Sequence, residues 1–296
     1  MALHYQIDCL TEQQCLLGES PIWHQAEQLL YWVDALKPAL HALDPKTGTH
    51  QYWEMPALIG SIAPRVQGGL IAALGCGIAF IDLPAGTVKM QRIINPPLMA
   101  KHLNDGKCDR QGRFWVGEVS HNKNQPIGKL YRFDLDHSLH TMKNHIALFN
   151  GPCWSPNDNY FYYTDYFNQR GIFRYAFDTI SGKIKTGERF IQIPKNDTGI
   201  PDGCTIDNQG YLWSAKWNGH RITRYTPEGN IDIEISLPIQ RPTSCIFGGE
   251  NLNILFVTSA SQDVGETMPL QDADAGKLFA IKFTQIQGVA ETPFKG

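Results

Sequence analysis

Six stretches of this chain resemble one another, and that repeat constrains the fold more than any other feature of the sequence. They are LLYWVD (29–34), GLIAAL (69–74), RFWVGE (113–118), YFYYTD (160–165), YLWSAK (211–216) and ILFVTS (254–259). Measured from Leu30 through Leu70, Phe114, Phe161, Leu212 and Leu255, the spacings are 40, 44, 47, 51 and 43 residues. Several are followed by a second alternating run and a polar turn, as in ALHALDPKTG (39–48), KLYRFDLD (129–136), GIFRYAFDTISG (171–182) and RITRYTPEG (221–229). A recurring unit of roughly 40–50 residues with about four strands is the signature of a propeller blade. Six units predict an all-β, six-bladed β-propeller with four-stranded antiparallel blades. A strand near residues 4–10 is expected to pair with the last blade.

Length alone suggests two domains, but all-β domains often run to this size, and no linker or shift in composition divides the chain. The expectation is therefore one domain over residues 1–296. Helical periodicity is hard to find. Turns such as DPKTG (44–48), DRQG (109–112), PNDN (156–159), DNQG (207–210) and TPEG (226–229) separate runs rich in Ile, Val, Phe, Tyr and Trp, which reads as strands joined by tight turns. A hydrophobic fraction of 42% supplies a substantial core, and a net charge of −3 gives no reason to expect nucleic acid or an anionic membrane as partner. The start, MALHYQIDCL, has neither the basic segment nor the apolar run of a signal peptide. No stretch approaches 18 apolar residues, so no membrane span is expected. Seven widely spaced cysteines, without a CxxC pair, read as free thiols in a reducing cytoplasm rather than as disulfides or a thiolate zinc site. A monomer or weak oligomer is expected.

The repeat also points to a site. In a propeller the innermost strand of each blade lines the central channel, and here that strand should precede each of the six stretches. Its channel-side start should lie about ten residues upstream. Counting back gives Glu19 (11 before Leu30), Asn104 (10 before Phe114), Asn150 (11 before Phe161) and Asp202 (10 before Leu212). The second blade gives Ile59 or Gly60, and the sixth gives Thr243. Equivalent positions in different blades are expected to converge on one mouth of the channel. Oxygen ligands from Glu19, Asn150 and Asp202 suit a hard divalent cation such as Ca²⁺, Mg²⁺ or Mn²⁺, with Zn²⁺ less favoured by ligand softness. The competing reading is that Asn-Gly, Asn-Asp-Gly and Pro-Asp-Gly are turn sequences that stabilise only the local backbone; Glu19, which is no turn former, resists it. Two long connections, 119–128 and 260–276, are expected to form a substrate rim or a lid.

The stretches LGESPIW (17–23), LNDGKCDRQGRFWVGEV (103–119), NGPCWSPNDNYFYYTD (150–165), PDGCTIDNQGYLWSAKWNG (201–219) and PTSCIFGG (242–249) resemble the SMP-30/gluconolactonase/regucalcin family, in order and spacing, over nearly the whole chain. The resemblance implies a six-bladed, metal-dependent hydrolase of sugar lactones. It implies Glu19, Asn150 and Asp202 as metal ligands, the set that the repeat also selects. It further implies Asp202 as a catalytic acid/base and Asn104 as a contact to substrate or to metal-bound water. One divalent ion is expected, with Ca²⁺ favoured over Mg²⁺, Mn²⁺ or Zn²⁺. The chain departs from the family pattern at three places. His102 stands where members often carry arginine, Pro152 where many have leucine, and Glu118-Val119 where relatives often have threonine-methionine. The first and third bear on substrate choice. His102, Asn104 and Glu118 are therefore the candidate substrate-binding residues, and Lys216 and Asn218 hold the equivalent edge of the fifth blade.

The chemistry expected is hydrolysis of a lactone to its aldonic acid, with a cation polarising the carbonyl and Asp202 moving the proton. Two other readings compete. One is an esterase or phosphotriesterase-like hydrolase of the same architecture, and the other is a non-catalytic calcium-binding propeller.

Overall fold

A computed structural model of the protein describes residues 4–94, 101–122, 125–262 and 272–296. Its strands run in the order that the repeat predicts. Ahead of the first blade lies β1 (Tyr5–Cys9). The first blade is β2 (Gly18–His24), β3 (Leu29–Asp34), β4 (Ala39–Leu43) and β5 (His50–Glu54). The second is β6 (Ile59–Pro64), β7 (Leu70–Leu74), β8 (Gly77–Asp82) and β9 (Thr87–Ile93). The third is β10 (Lys101–Cys108), β11 (Phe114–Ser120), β12 (Gly128–Phe133) and β13 (Leu139–Ile146). The fourth is β14 (Asn150–Trp154), β15 (Tyr160–Asp165), β16 (Gly171–Asp178) and β17 (Lys183–Gln192), with a short helix α1 (Tyr166–Gln169) between β15 and β16. The fifth is β18 (Ile200–Ile206), β19 (Leu212–Trp217), β20 (Arg221–Tyr225) and β21 (Ile231–Ser236). The sixth is β22 (Pro242–Gly248), β23 (Ile254–Ser259) and β24 (Phe279–Phe283), completed by β1.

Each blade is a four-stranded antiparallel sheet, and the six together make the chain an all-β, six-bladed β-propeller. The recognised stretches are β3, β7, β11, β15, β19 and β23, the second strand of every blade. The expected pairing of the N-terminal strand also holds, because β1 runs antiparallel to β24 from Tyr5 opposite Phe283 to Cys9 opposite Phe279. The described residues form two compact units. One comprises residues 1–53 and 193–290 and holds the first, fifth and sixth blades. The other comprises residues 54–192 and 291–296 and holds the second, third and fourth.

Why the second strands start where they do is visible in the third and fifth blades. In DRQGRFW (109–115), Asp109 accepts the backbone N–H groups of Gln111 and Arg113 and the indole N–H of Trp115. In DNQGYLW (207–213), Asp207 does the same for Gln209, Tyr211 and Trp213. One buried carboxylate thus closes the turn and sets the rotamer of the tryptophan two residues into the next strand. The guanidinium groups of Arg113 and Arg224 neutralise these two acids, since an unpaired buried charge would be costly.

The core lies between neighbouring sheets. In the first unit, Trp213, Ile222, Phe247 and Phe283 fill the space between the fifth and sixth blades, and Trp23, Trp32 and Phe256 that between the sixth and first. In the second, Ile71, Phe80, Phe114 and Phe133 pack between the second and third blades, together with Phe294 from the C-terminal segment. Trp115, Phe149 and Phe161 do so between the third and fourth. Alternation in each strand sends one residue to each neighbour.

Candidate functional site

In all six blades the pairing between first and second strands slips at the same place. The slip falls between Glu19 and Ile22, Ile59 and Ser61, Leu103 and Gly106, Asn150 and Cys153, Pro201 and Cys204, and Pro242 and Ser244. A bulge of this kind leaves a residue unpaired and re-aims the neighbouring side chains. Glu19, Gly60, Asn104, Asn150, Asp202 and Thr243, reached by counting back along the repeat, all lie at or within these slips. The Asn-Gly, Asn-Asp-Gly and Pro-Asp-Gly sequences are therefore strand irregularities rather than turns. Their glycines permit close strand packing. At Gly106 a side chain would strike Ser61 and the carbonyl of Trp115, and at the equivalent Gly203 it would strike Ser244.

In the second unit, hydrogen bonds join these positions. Asn104 Nδ2 donates to the carbonyl of Phe149 at 2.9 Å and to Asn150 Oδ1 at 2.6 Å, and Ser61 Oγ donates to the carbonyl of Asn104. Both amide hydrogens of Asn104 are thereby occupied, so its Oδ1 is the atom left to accept from a ligand. The Asn104 donor also fixes the amide of Asn150 with its oxygen as the acceptor, the orientation needed of a metal ligand. Beside them Asp105 is a fully enclosed carboxylate that accepts the N–H groups of Gly106 and Gly151. Burial pushes its carboxyl up, against the pull of those two donors. Along Lys101–Asn104 the residues alternate between buried and half-buried, and His102 and Asn104 take the more open positions. His102 Nδ1 lies 3.1 Å from Nε2 of the exposed His121. Burial, and then the neighbouring His121, lowers His102 to about 4, so its imidazole is neutral at neutral pH.

In the first unit, β2, β18 and β22 carry the equivalent residues. Thr243 Oγ1 donates to the carbonyl of Gly18, next to Glu19, and shares a second hydrogen bond with Thr258. Ser244 packs against Gly203, next to Asp202. Asp202 is buried and Glu19 is half-buried. Both carboxylates of the expected set, Glu19 and Asp202, thus lie in this unit. Among the described residues no group of three or more His, Cys, Asp or Glu side chains could hold a metal ion. The expected set, with two carboxylates and an amide, is of a different composition. Its three oxygen donors, two of them anionic, fit a hard divalent cation.

Two edge residues differ from expectation. Glu118 was expected to be a substrate-binding residue. It is instead fully buried and accepts from Lys101 Nζ at 2.7 Å, from the backbone N–H of Lys129 and from the hydroxyl of Tyr131. The register that places Leu103 opposite Glu118 brings Lys101, two residues earlier on the same face, within its reach. Lys216 occupies the same place in the fifth blade and is also fully buried, with its ammonium 5.3 Å above the Tyr225 ring. Among the described residues no hydrogen-bond acceptor meets Lys216 Nζ. Burial pulls it down to about 8, with Asp197 offsetting part of the shift. The side-chain oxygen of Asn218 accepts from Arg241 Nε. Sequence reasoning passed over Asp105 and His121. Asp105 sits inside the Asn-Asp-Gly motif and could have been found there, whereas nothing in the sequence marked His121. Of the two expected rim loops, residues 123–124 and 263–271 lie outside the described residues.

Comparison with known proteins bears on the family and the fold. A sequence model described as "SMP-30/Gluconolactonase/LRE-like region" matches residues 17–261. A 6-deoxy-6-sulfogluconolactonase of Pseudomonas putida is 34% identical over 98% of this chain and 99% of its own length. Pentonolactonase XacC of Haloferax volcanii is 32% identical over 92% of each chain. The structure of a calcium-binding protein, regucalcin, from Agrobacterium tumefaciens superposes with a TM-score of 0.92 at 23% identity, over 97% of both chains.

Proposed function

The chain belongs to the SMP-30/gluconolactonase/LRE-like family, and on that premise we propose that it is a lactonase, a carboxylic ester hydrolase that opens sugar (aldono-) lactones to aldonic acids with one bound divalent metal ion. Support for the activity comes from relatives that carry lactonase names and align over more than nine-tenths of both chains. The observation that carries the site is the bulge repeated in all six first strands, which bears a carboxylate or an amide in four of them.

Glu19, Asn150 and Asp202 would hold the ion; an all-oxygen set suits Ca²⁺, Mg²⁺ or Mn²⁺ better than Zn²⁺, and Ca²⁺ is the ion proposed. When bound, such an ion supplies Lewis-acid polarisation of the lactone carbonyl. The remaining work belongs to the side chains. Asp202 accepts a proton from the attacking water as its oxygen bonds to the carbonyl carbon. It returns that proton to the ring oxygen as the carbon–oxygen ester bond breaks, so the product is a hydroxy acid. Asn104 offers its free Oδ1 to a sugar hydroxyl. His102, neutral and two residues away on the open side of β10, offers a ring nitrogen to another. The test is a panel of aldonolactones assayed for acid release with several divalent metals. The reading expects turnover of at least one lactone that depends on added metal. A purified protein inert on the whole panel with every metal would refute it.

A further inference from the structure

Neighbouring residues of a regular strand point to opposite faces, yet Asn104 and Asp105 both reach β14. Asn104 Nδ2 donates to the carbonyl of Phe149 and to Asn150 Oδ1, and Asp105 Oδ2 accepts the N–H of Gly151 at 2.7 Å. The slip between Leu103 and Gly106 permits this, because it takes both residues out of regular pairing with β11. Asn150 is thus held at three points: the peptide before it, its own side chain and the peptide after it. We infer that Asp105 is a positioning residue for the metal site, fixing the backbone that carries Asn150 while Asn104 fixes its amide. The inference rests on Asn150 as a metal ligand in the lactonase reading, and deepens that reading.

The bulge of β14 shows why this one carboxylate matters. It falls at residues 151 and 152, between the paired Asn150 and Cys153. Pro152 has no N–H. The amide hydrogen of Gly151 is therefore the only backbone donor at these two positions, and Asp105 accepts it. The other oxygen, Asp105 Oδ1, accepts the N–H of Gly106 at 2.8 Å, at the end of the slip in β10. One side chain therefore ties the irregular segment of β10 to that of β14, with one N–H group on each oxygen.

The surroundings of Asp105 suit a fixed tie. The side chain is buried. Lys107, two residues further on, is ion-paired with Glu291 of the C-terminal segment at 3.1 Å. The Gly151 N–H, the charge of Lys107 and the Gly106 N–H together oppose the burial that pushes the Asp105 carboxyl up.

The first measurement is a calorimetric calcium titration of chelator-stripped wild type and Asp105→Asn, with lactone turnover followed as calcium is raised. Asparagine keeps one acceptor oxygen and sets an NH₂ group against the second N–H. Calcium binding by Asp105→Asn should weaken about tenfold to hundredfold, the usual cost of losing an outer partner of a metal ligand, and its loss of turnover should shrink as calcium is raised. A merely structural role would lower stability without changing the calcium affinity of the folded protein. The second measurement needs no change at Asp105, and decides the matter where Asp105→Asn does not fold. Labelling asparagine at the carbonyl carbon and glycine at nitrogen isolates the amide signals of Gly151 and Gly219, the two glycines that follow an asparagine, and Asn218→Gln tells them apart. In stripped wild type the Gly151 amide should exchange slowly with deuterated water, because Asp105 already holds its hydrogen, and its signal should shift when calcium binds. Wild-type calcium affinity in folded Asp105→Asn, or rapid exchange of the Gly151 amide, overturns the inference while calcium-dependent turnover of the wild type keeps the lactonase reading intact. A wild type that neither binds calcium nor opens a lactone overturns both.

Discussion

The first strands of the two units share one backbone device and differ in what it carries. In β2 and β18 the bulge bears carboxylates, Glu19 and Asp202. In β10 and β14 it bears amides, Asn104 and Asn150. The amides are tied to one another and to the carbonyl of Phe149, so their orientation is set by the protein before any ligand arrives. Amides can orient and accept without carrying charge; carboxylates can neutralise a cation and exchange a proton. The contrast teaches that the fold repeats a place, while residue type divides the labour among the six copies. In the second and sixth blades, where Gly60 and Thr243 stand, the place is kept and used for strand packing.

The division of labour predicts graded effects. Replacing Asp202 by Asn converts the acidic strand into a copy of the amide ones. Because an amide cannot take up the water's proton, kcat at saturating metal should fall by roughly 10²–10⁴-fold, the usual contribution of a general acid/base. A smaller loss is expected of Asn104→Ala, which removes the Asn104 donor from Asn150 Oδ1 and from the Phe149 carbonyl. One or two lost hydrogen bonds correspond to about a tenfold to hundredfold fall in kcat/KM, and a calcium titration should show weaker binding because Asn150 is no longer oriented. Comparable turnover in the two variants would erase the distinction between the strands.

The smallest effect concerns the edge position, where the same place holds Glu118 in one unit and Lys216 in the other. Glu118 is satisfied by Lys101, whereas Lys216 relieves its burial by a lowered proton affinity. A lysine whose folded value is about 8, against 10.5 when free, binds more protons unfolded than folded between those limits. Its contribution to stability therefore rises from about pH 8 to 10.5 and is lost as the pH falls. Denaturant melts of wild type and Lys216→Met across that range should show the stability difference shrinking, with Met the more stable at neutral pH. A difference that does not change with pH would mean Lys216 is charged in the fold.

Much of this was readable beforehand. The six second strands stood out because buried β-branched and aromatic runs recur at blade spacing, and counting upstream from Phe114 or Leu212 reached Asn104 and Asp202 within the bulges. The bulges themselves were hidden, since Asn-Asp-Gly and Pro-Asp-Gly read locally as turns and only strand pairing shows that they lie inside β10 and β18. The enclosure of Glu118 was also hidden. It depends on the cross-strand register that sets Leu103 opposite it and brings Lys101 near, which no local pattern encodes. His121 reaches His102 for the same reason: Val119 pairs with His102, and the chain turns back just beyond.

The central claim is that Glu19, on an acidic first strand, is a ligand of the ion on which lactone opening depends. Its most direct test is a calcium titration of lactone hydrolysis, using chelator-stripped wild type and Glu19→Gln. The account predicts that stripped wild type is inactive and regains turnover on adding metal. It also predicts that Glu19→Gln needs at least about tenfold more metal for half-maximal rate, since one anionic ligand is gone. Full turnover in the stripped protein, or the same half-saturating metal for both, would contradict it.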